Sequence, residues 1–99
     1  MKPLSTRQIE VVRELADTCE QFPSLSLETH LADFDGCDGT LQEFPVEQVR
    51  KYLVRYARVF FYEGEWLNFT DFDTESRQKL TKYSTDEYYH LTEDDLSLV

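Results

Sequence analysis

Residues 45–62 read Pro-Val-Glu-Gln-Val-Arg-Lys-Tyr-Leu-Val-Arg-Tyr-Ala-Arg-Val-Phe-Phe-Tyr. With about 100° of turn per residue, Val46, Val49, Leu53, Tyr56, Ala57 and Phe60 fall within one arc of about 100°. Arg50, Lys51, Arg55 and Arg58 fall on the other side. This pattern predicts a central helix whose apolar stripe is the spine of the core. Pro45 suits its opening, where a missing N–H costs nothing. A rival reading applies at the far end. Residues 59–62 and 65–69 are rich in β-formers, and Glu63-Gly64 would turn a hairpin between them. The helical period persists to Phe60, so the expectation is a helix to about Tyr62, with Gly64 in the left-handed position beyond it.

The flanks read as shorter helices. Ser5 and Gln8 form a capping box, with Leu4 and Ile9 as its hydrophobic staple. Ile9, Val12, Leu15, Ala16 and Cys19 then share one face, and the helix should stop near Gln21, ahead of Pro23. Ser26 can cap a helix using Leu27, Leu31 and Phe34, with a short strand at 24–27 as the lesser alternative. Residues 33–41, with three aspartates and two glycines, have the composition of a loop. Thr40 with Glu43 would cap a further turn. Asp73 or Thr74 starts a helix over about 75–83. Ser84 with Glu87, and Thr92 with Asp95, repeat the capping pattern before Leu96 and Leu98. The fold class expected is mainly α, a compact bundle of roughly four to six short helices around 45–62, with a short hairpin near 59–69 as the variant. The 99 residues form one small acidic globular domain.

Acids number 20 and bases 10, a formal charge of −10. Residues 1–44 carry nine acids against three bases, residues 45–62 one against four, and residues 63–99 ten against three. A basic helix therefore lies between acidic flanks, which would neutralise some of its cations. The remaining negative surface repels nucleic acid and anionic membranes and attracts basic protein surfaces. No apolar run reaches the length of a membrane span, and no secretory leader is legible, so a reducing cytoplasm is the default. Cys19 reads as a small core residue and Cys37 as a loop thiol, with a disulfide between them left open.

Chemistry-bearing motifs fail on spacing. A calcium loop beginning at Asp33 would place Cys37 at the fifth position, Asp38 where glycine belongs and Phe44 where the bidentate glutamate belongs. Asp-Phe-Asp-Gly at 33–36 resembles the nucleophile motif of haloacid-dehalogenase-type phosphatases, but the buried hydrophobic strand that precedes it in that family is missing. Leu4-Ser-Thr-Arg-Gln-Ile-Glu-Val-Val-Arg-Glu-Leu-Ala resembles the first helix of the helix-turn-helix domain in LuxR-type regulators. That family goes on to a basic recognition helix, whereas residues 20–38 contain no Lys or Arg. Cys19, His30, Cys37 and His90 lack paired zinc-ligand spacing, and neither histidine neighbours a nucleophile.

The functional expectation is a non-enzymatic, cytoplasmic, protein-binding accessory or regulatory factor with no cofactor and no metal. In its sharper form it is an inhibitor that mimics the charge of nucleic acid. Its carboxylates (Asp33, Asp35, Asp38, Asp71, Asp73, Asp86, Glu87, Glu93, Asp94, Asp95) would occupy the basic site of a nucleic-acid-binding protein, with no direct contact to nucleic acid or membrane. Two alternatives stand beside it. One is a weak metal-dependent or hydrolytic site at the aspartate loop 33–38, drawing in Asp71 or Asp73. The other is a housekeeping protein that self-associates through apolar surface on 80–99, so the expected state is a monomer or homodimer.

Overall fold

The computed structural model describes residues 3–33, 41 and 43–99. Among the described residues the chain is mainly helical, with one small antiparallel sheet. Helix α1 spans Thr6–Gln21 and α2 spans Leu27–Asp33. Helix α3 (Val46–Tyr52) runs on into a π-helical turn, Leu53–Ala57. Strands β1 (Val59–Tyr62) and β2 (Glu65–Asn68) follow, then a 3-10 turn at Phe69–Asp71, α4 (Thr74–Lys82), α5 (Thr85–Tyr88) and a second 3-10 turn at Glu93–Asp95.

The capping signals work as local chemistry dictates. Ser5 Oγ accepts the Gln8 N–H at 3.2 Å while Gln8 Oε1 accepts the Ser5 N–H at 2.9 Å, closing both ends of the box. Ser26 Oγ accepts the Thr29 N–H at 3.2 Å, so the segment opens α2 rather than a strand. Pro45 is the N-cap of α3. Thr40, Cys37 and Phe34 lie outside the described residues, as does the question of a Cys19–Cys37 bridge.

The central helix is shorter than its period predicts. The Arg58 N–H reaches back to the Leu53 carbonyl, one residue farther than an α-helix allows, and Arg58 itself is left-handed, at φ 57° and ψ 39°. The chain then extends as β1 instead of continuing to Tyr62. No glycine or proline marks the break. Its cause is the run Val-Phe-Phe-Tyr, whose branched and aromatic side chains fit a pleated surface. Glu63 at φ 52° and Gly64 at φ 81° form the two-residue turn, both positive as a type I′ hairpin requires. Val59 opposes Asn68, Phe60 opposes Leu67, and Phe61 opposes Trp66.

This hairpin explains how the core divides. Alternate residues of β1 point to opposite faces. Val59 and Trp66 join one apolar cluster with Val11, Val12, Leu15, Cys19, Leu27, Val49, Tyr52 and Leu53. Phe60 joins the other, with Val54, Phe72, Leu80 and Leu96, and Leu67 packs against it. Tyr52 is buried, with its ring edge-on to Phe44. The C-terminal segment is tied down rather than frayed. Ser97 O accepts the Asp73 N–H at 2.9 Å and the Val99 N–H donates to Asp71 O at 3.1 Å, while Leu96 is buried.

Candidate functional site

The ten nominated carboxylates fall into three groups. Asp35 and Asp38 lie outside the described residues, Asp33 closes α2, and Glu93 begins the second 3-10 turn. Asp86 and Asp94 are exposed on the surface. The remaining four each accept a backbone N–H at the start of a helical turn. Asp71 accepts from Asn68 at 2.9 Å, Asp73 from Ser76 at 2.8 Å, Glu87 from Ser84 at 2.9 Å, and Asp95 from Thr92 at 2.8 Å. The sequence placed Asp73, Glu87 and Asp95 at helix starts, where the positive end of the helix dipole favours them; Asp71 carried no such signal. The structure adds that their carboxylates are held by bonds, not merely placed nearby.

Those bonds alter ionisation. The Ser76 N–H holds the Asp73 carboxyl below the ordinary aspartate range, and Thr92 does the same for Asp95. The Lys51 hydrogen bond and charge lower Asp86. Glu20 moves the other way. Partial burial raises it, and the nearby charges of Asp17 and Asp71 add to the effect against an opposing hydrogen bond from Asn68. The end of α1 and the first 3-10 turn therefore bring Asp17 and Asp71 within electrostatic reach of Glu20. Asp17 and Glu20 were not among the sequence candidates. Their proximity to Asp71 depends on the chain returning past α1 after the hairpin, which no local pattern encodes.

The cations are only partly neutralised by the acidic flanks. Lys51 Nζ meets Asp86 at 2.9 Å, across the chain. Arg50 pairs instead within its own helix, with Glu47 at 3.8 Å. Arg58 lies over the Phe69 ring at 4.2 Å from its centroid and donates to Thr81 Oγ1 at 3.4 Å. Arg55 and Arg58 line one shallow depression of about 270 Å³, and Arg77 and Lys82 line another of about 440 Å³. The protein thus keeps a basic patch, which the helix reading of residues 45–62 could not locate. A larger groove of about 560 Å³ lies between α3 and α5, lined by Glu47, Lys51, Arg55 and Asp86 and spanned by the Lys51–Asp86 pair.

Other reactive groups are committed to structure. His30 is buried, with Nε2 at 3.1 Å from the Phe22 carbonyl. Cys19 is buried, which pushes its thiol up to about 12. A thiol that stays protonated at neutral pH is a poor nucleophile. Among the described residues no three His, Cys, Asp or Glu side chains gather closely enough to hold a metal ion. Of the aspartate loop 33–38 suggested for such a site, residues 34–38 lie outside the described residues. Of the 80–99 segment, Tyr83 and Leu98 remain exposed while Leu96 faces the core. Among the described residues no helix is long and apolar enough to cross a membrane.

No protein-family model, no curated protein and no solved structure matches the chain.

Proposed function

We propose that the protein is a non-enzymatic, acidic protein-binding factor that acts in the cytoplasm. Its carboxylates occupy the basic site of a partner, in the place of nucleic-acid phosphates, and so inhibit that partner. The observation that carries this reading is the fixing of Asp71, Asp73, Glu87 and Asp95 by backbone N–H groups. A surface acid free to rotate loses side-chain entropy when it meets a cation, about 0.5–1.5 kcal/mol for each immobilised side chain. A carboxylate already held in a cap loses little. The charge of −10 supplies long-range attraction to a basic surface and opposes direct binding to nucleic acid or an anionic membrane. The factor works as a monomer or a homodimer, with Asp94 adding exposed charge to the same surface field, while Asp86 is largely neutralised by Lys51.

Capping chemistry offers a clean test. Asn caps a helix as well as Asp does, and Gln can replace Glu in a capping box. A variant carrying Asp71→Asn, Asp73→Asn, Glu87→Gln and Asp95→Asn therefore keeps the caps while losing four charges. The wild-type protein should retain a basic partner at low salt, release it at high salt, and release it to added duplex DNA or RNA. The neutralised variant should retain much less. A partner held equally by both proteins, or held undiminished at high salt, would refute charge mimicry and point to an apolar interface.

A further inference from the structure

A cavity of about 240 Å³ lies where α3, the hairpin and the α5 region meet, lined by Arg50, Phe61, Tyr62, Glu63, Tyr88 and Tyr89 among others. Most polar tips in its wall are accounted for. Tyr88 donates its hydroxyl to the Phe61 carbonyl at 3.1 Å, and Tyr62 donates to the Leu96 carbonyl at 3.1 Å. Two are not. Arg50 Nε and Tyr89 Oη are both buried, and among the described residues neither has a hydrogen-bond partner. An unpartnered buried polar atom is uncommon in a folded protein and calls for a specific explanation. Here two occur on residues that line one cavity, and both are donors; the two atoms are themselves sealed from solvent, so a ligand reaches them only when the side chains turn toward it.

We infer that this cavity is a binding site for a small carboxylate on an apolar, ring-sized body. The carboxylate oxygens would accept from Arg50 Nε and Tyr89 Oη, the one cationic and the other neutral. The aromatic wall supplies the apolar part of the contact. Phe61 already carries the Arg50 guanidinium at 5.7 Å from its centroid, so the charge sits beside the ring that would meet the ligand. The volume falls below the roughly 300–1,000 Å³ of sites for drug-sized ligands, so the occupant is a fragment the size of one side chain. Glu47 competes for the same guanidinium at 3.8 Å, and Glu63 adds a second carboxylate to the lining; both are exposed, so both can turn to solvent. Desolvation also raises the Tyr88 and Tyr89 hydroxyls above the ordinary tyrosine range, so both remain protonated donors at neutral pH.

The test uses phenylacetate as the probe and benzyl alcohol as its uncharged counterpart, followed by amide and side-chain NMR shifts on the intact chain. Phenylacetate should move the resonances of Arg50, Phe61 and Tyr89 with saturation, and benzyl alcohol should bind much more weakly. Tyr89→Phe removes only a hydroxyl that has no partner, so the variant should fold normally and bind phenylacetate about tenfold more weakly, the loss of one hydrogen bond to a charged group. Arg50→Lys should weaken binding while keeping the charge. Glu47→Gln should strengthen it by about twofold to fivefold, as expected for removal of an exposed competing ion. Absence of saturable shifts, equal binding of the alcohol, or wild-type affinity in Tyr89→Phe would overturn the inference and leave the cavity as a place for ordered water only.

Discussion

The indole of Trp66 donates its Nε1–H to the Leu25 carbonyl at 3.0 Å, while the Trp66 backbone N–H donates to the Pro23 carbonyl at 3.0 Å. One residue of β2 thus satisfies two carbonyls of the α1–α2 connection, and its ring fills the core beneath. Trp66→Phe removes volume from a site only 2% exposed and leaves the Leu25 carbonyl without its donor. The expected loss is about 1–3 kcal/mol, combining a cavity and an unmade hydrogen bond. Urea unfolding followed by far-UV circular dichroism measures it, and an unchanged midpoint would show that the hairpin does not brace the first two helices.

The turn of that hairpin is built from a residue poorly suited to it. Glu63 has φ 52°, a conformation that Asn tolerates better than Glu. Glu63→Asn should stabilise the fold by up to about 1 kcal/mol. Gly64→Ala should destabilise it by about 1 kcal/mol. A methyl group there would meet no atom within 4 Å, so the cost is backbone strain alone. Thermal melts of the two variants should move in opposite directions.

Arg58 occupies the left-handed region without being glycine. Its compensation is the stack on Phe69, a cation–π contact worth about 0.5–1 kcal/mol at an exposed site. Arg58→Ala keeps the strain and loses the contact, so it should be the least stable of the series. Arg58→Gly loses the contact and relieves the strain, and should exceed the alanine variant by about 1 kcal/mol. If the two variants melt together, the left-handed conformation at this position carries no strain.

Legibility in the sequence followed the distance over which each signal acts. The boxes at Ser5–Gln8 and Ser84–Glu87, and the caps at Ser26 and Asp73, complete themselves within three residues, so they could be read directly. The break after Ala57 could not. An unbroken apolar run satisfies a helical period and a two-sided strand equally well. Val59–Tyr62 is such a run because both faces of β1 meet a core cluster. The rival hairpin was visible through Glu63-Gly64 and the β-formers on either side of it. The candidate surface divides the same way. Asp73, Glu87 and Asp95 were legible as caps, whereas the approach of Glu20 to Asp71 and the shared cavity of Arg50 and Tyr89 arise from tertiary packing.

The carboxylates should give stability two opposing dependences on pH. Asp73 and Asp95 have folded pKa values below the ordinary 3.8. Their contribution is whole above that unfolded value and disappears as pH falls through the lowered folded one. Glu20 has a folded pKa above the ordinary 4.5. Its contribution is whole below the unfolded value and is lost as pH rises through the raised one, so ionised Glu20 opposes folding at neutral pH. Glu20→Gln should therefore raise the Tm at about pH 7, and the gain should vanish at about pH 3, where the wild-type carboxyl is itself neutral. Added salt should shrink the part of the gain at neutral pH that comes from repulsion by Asp17 and Asp71, because screening reaches exposed charges, and leave the part due to desolvation. Asp73→Ala should lower the Tm at neutral pH and have progressively less effect as the medium is acidified below the aspartate range. Calorimetry of both variants across that range separates the two carboxylates. A gain from Glu20→Gln that persists undiminished at low pH would mean that its cause is packing and not charge.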